Sequence, residues 1–447
     1  MFKEGILDKT LRNIKKLIPK SLFDFLAPFY HAGLAWIGAF LYGFPSRSMK
    51  IIGVTGTKGK STTVFLISKI LEGSLQDSQN KPVGVAAIGS LGFKIKDREW
   101  PNNLKMTMPG RFKIQKFLAQ ARKAGCRYVA LEVTSEGIKQ KRHLGISFDC
   151  AVFTNLHKEH LESHGSFENY LKAKQELFKK TKNIHILNGD DPYLNFFSGF
   201  DAKHKMFYGI NTGDIRAEDI KIEEGRTSFE VYGTQFNLNF GGKFNIYNCL
   251  SALSVGAMYK VDLPTAKPII EKITNIKGRM EYLQKLPFSV VVDYAHTPDS
   301  LEAVYKTLKD GNVSRQVQGA QHTKNLICVL GAAGGGRDKW KRPEFGKIAA
   351  KYCDEIILTN EDPYDENPNS ILNEIESGFS QISNSGSKII KYEKILDRKE
   401  AIKKALTKAK EGDIVIITGK GSEISMALAG GKKIPWSDQE IIRDLLK

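Results

Sequence analysis

The 447-residue sequence predicts two α/β domains behind a short amino-terminal segment of different character. Three observations carry this. The length accommodates two or three domains at roughly 150 residues each. Short apolar runs ending on polar residues alternate with amphipathic stretches, as in a parallel sheet with crossover helices. A glycine-rich loop with a lysine and several hydroxyls stands between the first such run and the first amphipathic helix.

Hydrophobic residues make up 41% and charged residues 26%, which excludes disorder, collagen or a coiled coil as a description of the whole. Lysine and arginine outnumber acids 67 to 49, a net charge of +18. That excess points to anionic partners such as a phosphorylated small molecule or an acidic membrane, although a solvated lysine-rich surface has the same balance. No recognition motif supports nucleic-acid binding, and none is expected. Cys126, Cys150, Cys249, Cys328 and Cys353 form no C-x-x-C pair. Neither a zinc ribbon nor a disulfide scaffold is expected, and a reducing compartment fits.

Residues 1–48 form the first part. In the first 20 residues Lys3, Lys9, Arg12, Lys15, Lys16 and Lys20 stand against Glu4 and Asp8, and residues 25–46 carry no formal charge. Eight aromatics fall between Leu22 and Phe44. No small-residue cleavage site marks a signal peptide. Pro28 and Pro45 bracket 16 residues, or about 24 Å of helix, short of the roughly 30 Å hydrocarbon core. The segment reads as an element lying in an anionic membrane interface. A helix packed on the next domain, or in a dimer, is the alternative.

Residues 49–278 read as a central domain. The run 51–54 is a buried strand, and the amphipathic stretch through about Leu71 is a helix. Between them lie Gly56, Thr57, Lys58, Gly59, Lys60, Ser61 and Thr62. Glycines there let backbone N–H groups converge on phosphate oxygens at a helix N-terminus. Lys60 supplies charge for the β/γ-phosphates, and Ser61 is a Mg²⁺ ligand by chemistry. Val54 breaks the longer G-x-x-x-x-G-K-[ST] pattern, leaving the shorter G-T-x-G-K-[ST] form. A strand over 128–131 ends at Glu132, and one over 150–153 ends at Thr154-Asn155. Polar residues past strand ends line the ligand crevice of a parallel sheet. Glu132 is thus a candidate metal ligand, with a helix cap or solvated acid as the alternative. His157, His160 and His164 follow within eight residues, and Lys174 lies on an amphipathic helix over 170–178.

In this order the motifs resemble those of the Mur ligase family, the ATP-dependent amide-forming enzymes of peptidoglycan synthesis, and most of all its MurE type. The resemblance runs from about residue 51 to 421. Glu132-Val133-Thr134-Ser135 resembles E-V-S-S. Thr154-Asn155-Leu156 through His160-Leu161 and His164-Gly165 resembles T-N-L-x-x-D-H-L-x-x-H-G, with Glu159 where aspartate is usual. Ala173-Lys174 and Leu177-Phe178 match A-K-x-x-L-F. The resemblance implies a catalytic set of Lys60, Lys174, His160 and Glu132. Lys174 would be carbamylated, Glu132 and His160 would bind a second Mg²⁺, and Ser61 would serve the first. Asn245 and Asn248, in F-N-x-x-N, would lie near the nucleotide, or cap the helix that starts there. Thr107, Thr134, Ser135 and Arg142 fall on acceptor-side motifs.

Residues 279–447 resemble the family's Rossmann-like last domain. Arg279 in G-R-M-E and Asp293 in D-Y-A-H-T-P would face the nucleotide. Arg337 lies in G-x-x-G-x-R-D. Gly419 and Glu423 lie in G-K-G-H-E, with Ser422 for the histidine. Members that add diaminopimelate carry D-N-P-R where this chain has Glu361-Asp362-Pro363-Tyr364. Tyrosine cannot form arginine's bidentate pair with a carboxylate. Asp362, with Glu361, would favour a cationic amino acid such as lysine if it faces the pocket; solvated loop acids are the alternative.

The expected architecture is a P-loop central ATPase domain plus a Rossmann-like C-terminal domain, with a short apolar segment replacing the usual UDP-binding domain. The expected reaction adds an amino acid to a muramoyl-peptide carboxylate through an acyl phosphate, using ATP and Mg²⁺. The expected location is cytoplasmic, at the inner face of the membrane. A lipid-linked, folate or poly-amino-acid acceptor is an alternative, as is a nonenzymatic membrane-tethered ATP-binding scaffold.

Overall fold

The computed structural model describes residues 20–104, 106–157, 164–313, 324–380 and 390–447. The described chain falls into two compact units. Residues 20–157, 164–216 and 247–270 form the first, and residues 217–246 and 271–447 the second.

The first unit opens with helix α1 (Lys20–Leu41) and continues through β1 (Lys50–Thr55), α2 (Lys60–Ser74), β2 (Gly84–Gly89), β3 (Gly92–Ile95) and β4 (Arg98–Trp100). Then come α3 (Arg111–Lys123), β5 (Cys126–Glu132), α4 (Ser135–Lys139), β6 (Phe148–Phe153) and α5 (Phe167–Lys180). The strands β7 (Ile184–Asn188), β8 (His204–Gly209) and β9 (Ile215–Arg216) follow, and α6 (Lys243–Met258) and α7 (Leu263–Glu271) come later in the chain. Nine strands form one sheet in the order β4-β3-β2-β5-β1-β6-β7-β8-β9. All pairs from β2 to β9 are parallel; β3 and β4 add an antiparallel edge. The apolar runs of β1, β5 and β6 are buried on both faces, as a helix-covered parallel sheet requires. Register sets Val54 beside Glu132 and Thr55 beside Phe153. The ends of three adjacent strands therefore deliver the loop, Glu132 and Thr154 to one edge of the sheet.

Helix α5 starts where Ser166 caps it by accepting from the Asn169 N–H. Its buried residues are Tyr170, Leu171, Lys174, Leu177 and Phe178, one face at helical spacing. That spacing carries the Lys174 stem inward with the apolar side chains.

Helix α1 departs from expectation. It runs for 22 residues through Pro28 rather than starting after it. A proline lacks the N–H that would bond four residues back, and Pro28 sits on an exposed turn where that loss is tolerated. Among the described residues no helix is long and apolar enough to cross a membrane.

The second unit contains a three-stranded sheet, β10 (Glu218–Glu223), β11 (Arg226–Val231) and β12 (Thr234–Leu238). The sequence places this strip in a central domain of 49–278; by compactness it groups with the second unit. Ser289 Oγ donates to Glu224 at 2.6 Å, and Gly225 lies against the Tyr282 ring. The main sheet uses β13 (Glu281–Gln284), β14 (Ser289–Asp293), β15 (Leu326–Leu330), β16 (Glu355–Leu358), β17 (Lys391–Lys394) and β18 (Ile414–Thr418). Its order is β13-β14-β18-β15-β16-β17, parallel except for β13. The helices α8 (Pro298–Val313), α9 (Lys341–Tyr352), α10 (Pro368–Glu376), α11 (Arg398–Lys408) and α12 (Asp438–Leu445) complete it, with a hairpin of β19 (Ser425–Ala427) and β20 (Lys433–Pro435). Fully buried Arg398 ties α11 to α12 through two bonds to Asp438, at 2.9 and 2.8 Å. Contrary to the cysteine reading, Cys328 and Cys353 form a disulfide. They are 25 residues apart in sequence, and the sheet and the end of α9 bring them together.

Helices α9 and α10 approach so closely that a Cβ on Gly346 would collide with the Ile375 carbonyl oxygen. Gly346→Leu should cost at least about 1–3 kcal/mol, as overpacking does. Urea denaturation of the variant checks this, and unchanged stability would show that the helices can part.

Candidate active site

In the first unit the site is built around the loop between β1 and α2. Gly56 has φ 150°, and a Cβ there would collide with Thr154 Oγ1. Gly59 is left-handed at φ 80°, and a Cβ there would collide with Asn248 Oδ1 on α6. Only glycine fits either place. The chain after β6 then clamps the loop. Thr57 N–H donates to Asn155 O at 2.8 Å, Lys58 N–H donates to Asn155 Oδ1 at 2.9 Å, and Thr154 Oγ1 donates to Lys58 O at 2.6 Å. Thr62 is buried in the first turn of α2, and Lys60 Nζ donates back to Thr57 O at 2.8 Å.

Lys174 reaches this loop from α5. Its Nζ donates to Gly56 O at 2.6 Å and lies 4.5 Å from the centroid of the Tyr170 ring. The Tyr170 hydroxyl is 2.9 Å from Thr57 Oγ1. Ser61 and Glu132 also meet. Ser61 Oγ donates to Glu132 Oε2 at 3.0 Å, and the Ser90 N–H donates to the same oxygen at 2.9 Å. A Cβ on Gly89 would sit 2.7 Å from it. Ser90 Oγ is 2.9 Å from Thr107 Oγ1, so a chain of polar contacts runs from the loop to the acceptor-side motif. His160 lies outside the described residues.

Other predicted residues have visible local work. Thr134 caps α4 by accepting from the Gly137 N–H at 3.0 Å, and Ser135 is buried behind it. Buried Arg142 donates to Met108 O and, at 2.7 Å, to Gln140 Oε1. Arg111 on α3, absent from the sequence reading, donates to Gln140 O at 3.1 and 2.7 Å. Burial, with the Arg142 charge beside it, lowers Arg111 to about 10.

The second unit holds its own cluster. Asp362 is buried and spoken for: Lys420 Nζ donates to both its oxygens at 3.0 Å, and Ala427 N–H donates to Oδ1 at 2.6 Å. Lys420 also donates to Glu423 Oε2 at 2.6 Å, and the Tyr294 hydroxyl to Glu423 Oε1 at 3.3 Å. The expectation of an Asp362 open to a cationic amino acid is therefore corrected, because Lys420 already supplies the cation. Glu361 is buried against Gly419, whose φ of 104° leaves no room for a side chain. Burial raises the Glu361 carboxyl to about 7, against the opposing pull of Arg398 and Lys420. Tyr364 adopts a left-handed φ of 51°, costly for a bulky residue. Its ring lies against Gly335, with the Arg337 guanidinium 5.9 Å from the ring centroid. Arg279 lies 4.5 Å from the Tyr294 ring centroid. Asp293 accepts from the Met280 and Ala295 N–H groups at 2.7 Å each, which shapes the turn, and Asn245 donates to Gly241 O at 2.7 Å.

Comparison with known proteins gives this geometry a lineage. The Mur ligase middle domain matches residues 54–256, and the Mur ligase glutamate ligase domain matches residues 278–421. A UDP-N-acetylmuramyl-tripeptide synthetase from Roseiflexus sp. (strain RS-1) is 35% identical, over 92% of this chain and 81% of its own length. The chain belongs to the Mur ligase family. A UDP-N-acetylmuramoyl-L-alanyl-D-glutamate–2,6-diaminopimelate ligase from Syntrophomonas wolfei is likewise 35% identical, over 94% of this chain and 83% of its own. A solved structure of a ligase with that same description superimposes with a TM-score of 0.58 at 30% identity, covering 89% of this chain and 78% of the other. Mur ligases are ATP-dependent enzymes that form amide bonds in peptidoglycan precursor synthesis, so this chain is an ATP-dependent ligase.

For a Mur ligase, the sequence reading missed Ser90, Arg111 and the Lys420 pairing. Ser90 lies one residue beyond β2, where polar residues face the crevice, so its position was the available signal. Lys420 lay inside a quoted motif, but its partners are 58 residues away and three residues away.

Glu361 gives a pH prediction. Its folded value of about 7 exceeds the ordinary glutamate value of 4.5. The folded state therefore retains a proton that the unfolded chain releases between these values. Stability from this group is full below pH 4.5 and is lost as pH rises through about 7, a change of roughly 3 kcal/mol. Glu361→Gln should flatten that slope in urea denaturation across the window. An unaltered slope would assign it elsewhere.

Proposed function

We propose that the chain joins an amino acid to the carboxylate of a muramoyl-peptide-like acceptor while ATP is cleaved to ADP and phosphate. The partners are that acceptor, the amino acid and, through residues 1–46, an anionic membrane surface or lipid carrier. The observation that carries the reading is the convergence of Lys60, Lys174 and the Ser61–Glu132 pair on one glycine loop, with Ser90 leading to Thr107. The names of the similar ligases support the acceptor class.

In this mechanism an oxygen of the acceptor carboxylate attacks the γ-phosphorus, giving an acyl phosphate and ADP. The amino acid's amine then attacks the carbonyl carbon, and the tetrahedral intermediate expels phosphate as the amine loses its proton. The loop N–H groups and Lys60 hold the phosphates in line and offset the charge of the transferring group. Arg142, fixed by Met108 and Gln140, orients the acceptor. No protein nucleophile is required.

Mg²⁺ fits the donors present. No group of three or more His, Cys, Asp or Glu forms a metal site among the described residues. Ser61 and Glu132 nevertheless juxtapose a hydroxyl and a carboxylate, hard oxygen donors of the kind Mg²⁺ takes while keeping waters and phosphate oxygens. We assign Ser61 and Glu132 to hold it, with His160 and a carbamylated Lys174. When bound, Mg²⁺ supplies Lewis-acid neutralisation of phosphate charge. The Lys174 ammonium first loses a proton; the neutral amine then joins CO₂ and releases a second, so that a buried cation becomes an anion.

Mass spectrometry of products from a panel of acceptors crossed with amino acids tests the reading; the absence of any amide product would refute it. Lys174→Ala should lose most amide formation and recover part of it with added short carboxylates, measured as ADP release. Full activity without rescue would remove the carbamate.

Tyr364 is proposed to disfavour diaminopimelate, since it offers no cation to the distal carboxylate. Tyr364→Arg should move the kcat/KM ratio toward diaminopimelate by at least about tenfold, the scale of one charge-assisted bond. A wild type that already prefers diaminopimelate would overturn this assignment.

A further inference from the structure

Helix α1 wears its side chains inside out. Ala35 and Ala39 are buried, and Gly38 lies against Phe112 and Gln115 of α3. Six bulky apolar residues point the other way. Phe29 is 72% exposed, Phe40 73% and Leu41 66%, joined by Leu26, Trp36 and Ile37. Their spacing of i, i+3, i+10, i+11, i+14 and i+15 is one continuous stripe on a helix. A helix meant only to cap a soluble domain would bury such residues and expose the small ones. Scattered exposed apolar residues are ordinary; a contiguous stripe of six is an interaction surface.

Charge selects the occupant. The described part of the stripe contains no charged residue, and α3 beneath it carries Arg111, Lys113, Lys116, Arg122 and Lys123 with no acid. Arg122 donates to Gly43 O at 3.0 Å and Tyr42 O at 3.3 Å, fixing basic α3 to the end of α1. Six basic residues against three acids precede the stripe in sequence. A protein partner would need no such one-sided charge, whereas an anionic lipid surface matches both the aromatic stripe and the basic surround.

We propose that α1 lies flat on an anionic bilayer with this stripe in the headgroup–acyl boundary, and that the ligase takes its acceptor from that surface. The second half rests on the ligase reading above. It is supported by place: Gly38 of α1 lies against the Arg111 backbone, and Arg111 and Arg142 both donate to Gln140. A carboxylate- or phosphate-bearing acceptor held at the bilayer would approach along basic α3, which starts at half-buried Arg111.

The test uses the full chain, the double variant Phe29→Asp/Phe40→Asp, and Trp36→Phe. Flotation with vesicles of phosphatidylcholine plus phosphatidylglycerol reads membrane binding without any chemistry. The wild type should float, less so at high salt and less so on phosphatidylcholine alone. The double variant should lose on the order of 100-fold in partitioning, the effect of two buried aromatics. Its ADP release with a soluble muramoyl-peptide fragment should be unchanged, which also shows that it is folded. Brominated lipid should quench wild-type tryptophan fluorescence, and Trp36→Phe should still float but lose that quenching. With a lipid-anchored acceptor, the double variant should raise KM at least about tenfold and leave the KM for ATP alone. Equal flotation of wild type and double variant would overturn the surface. So would a wild type that stays unbound but sediments as a dimer that the double variant breaks, since the stripe would then belong to a second copy. Unequal flotation with equal KM for the lipid-anchored acceptor would overturn the route of the acceptor. Failure of the wild type and both variants to release ADP, with flotation as expected, would refute the ligase reading and not the membrane one.

Discussion

At Gly56 the chain has no space for a single carbon beyond the backbone. Thr154 stands where a Cβ would be, and the Gly56 carbonyl receives the Lys174 ammonium. This close approach lets the residues after β6 clamp the loop and brings Lys174 into it. It also keeps the start of α2, with Ser61, against Glu132. Any side chain at Gly56 would push the loop away from both neighbouring strand ends. The glycine loop, the Ser61–Glu132 pair and the buried lysine would then lose their common position.

A second constraint operates in the later unit, where charges are buried in groups. Lys420 is shared by Asp362 and Glu423, and Arg398 is held by Asp438. Burying one such charge alone would cost several kcal/mol, whereas a group with its hydrogen bonds complete offsets much of that penalty. The cost here recurs at Glu361, which is pushed toward its neutral form. Tyr364, beside this network, is held in a left-handed conformation.

The amino-terminal helix obeys a different solvent. Ala35, Gly38 and Ala39 meet protein while Leu26, Phe29, Trp36, Ile37, Phe40 and Leu41 face outward, an arrangement that is unfavourable in water. Here function is inferred from a breach of the usual inside–outside rule, and the breach is visible only once the packed face is known.

The amino-acid sequence by itself determined the glycine loop, the strand ends at Glu132 and Thr154, and the order of motifs that marks a Mur ligase. Each is local: a run of apolar residues, a turn that demands glycine, a lysine and a serine at fixed spacing. It could place Lys174 on a helix but not say that its nitrogen meets Gly56, 118 residues away. It presented Asp362 as available, because Lys420 lies 58 residues later and only β18 and the loop after it bring the two together. It read Pro28 as a boundary, because propensity cannot see that an exposed turn tolerates a lost hydrogen bond. Tertiary structure decided which charges are neutralised, which cysteines meet and which face of α1 is bare. Those outcomes depend on distances between segments remote in the chain, and a local pattern carries no information about them.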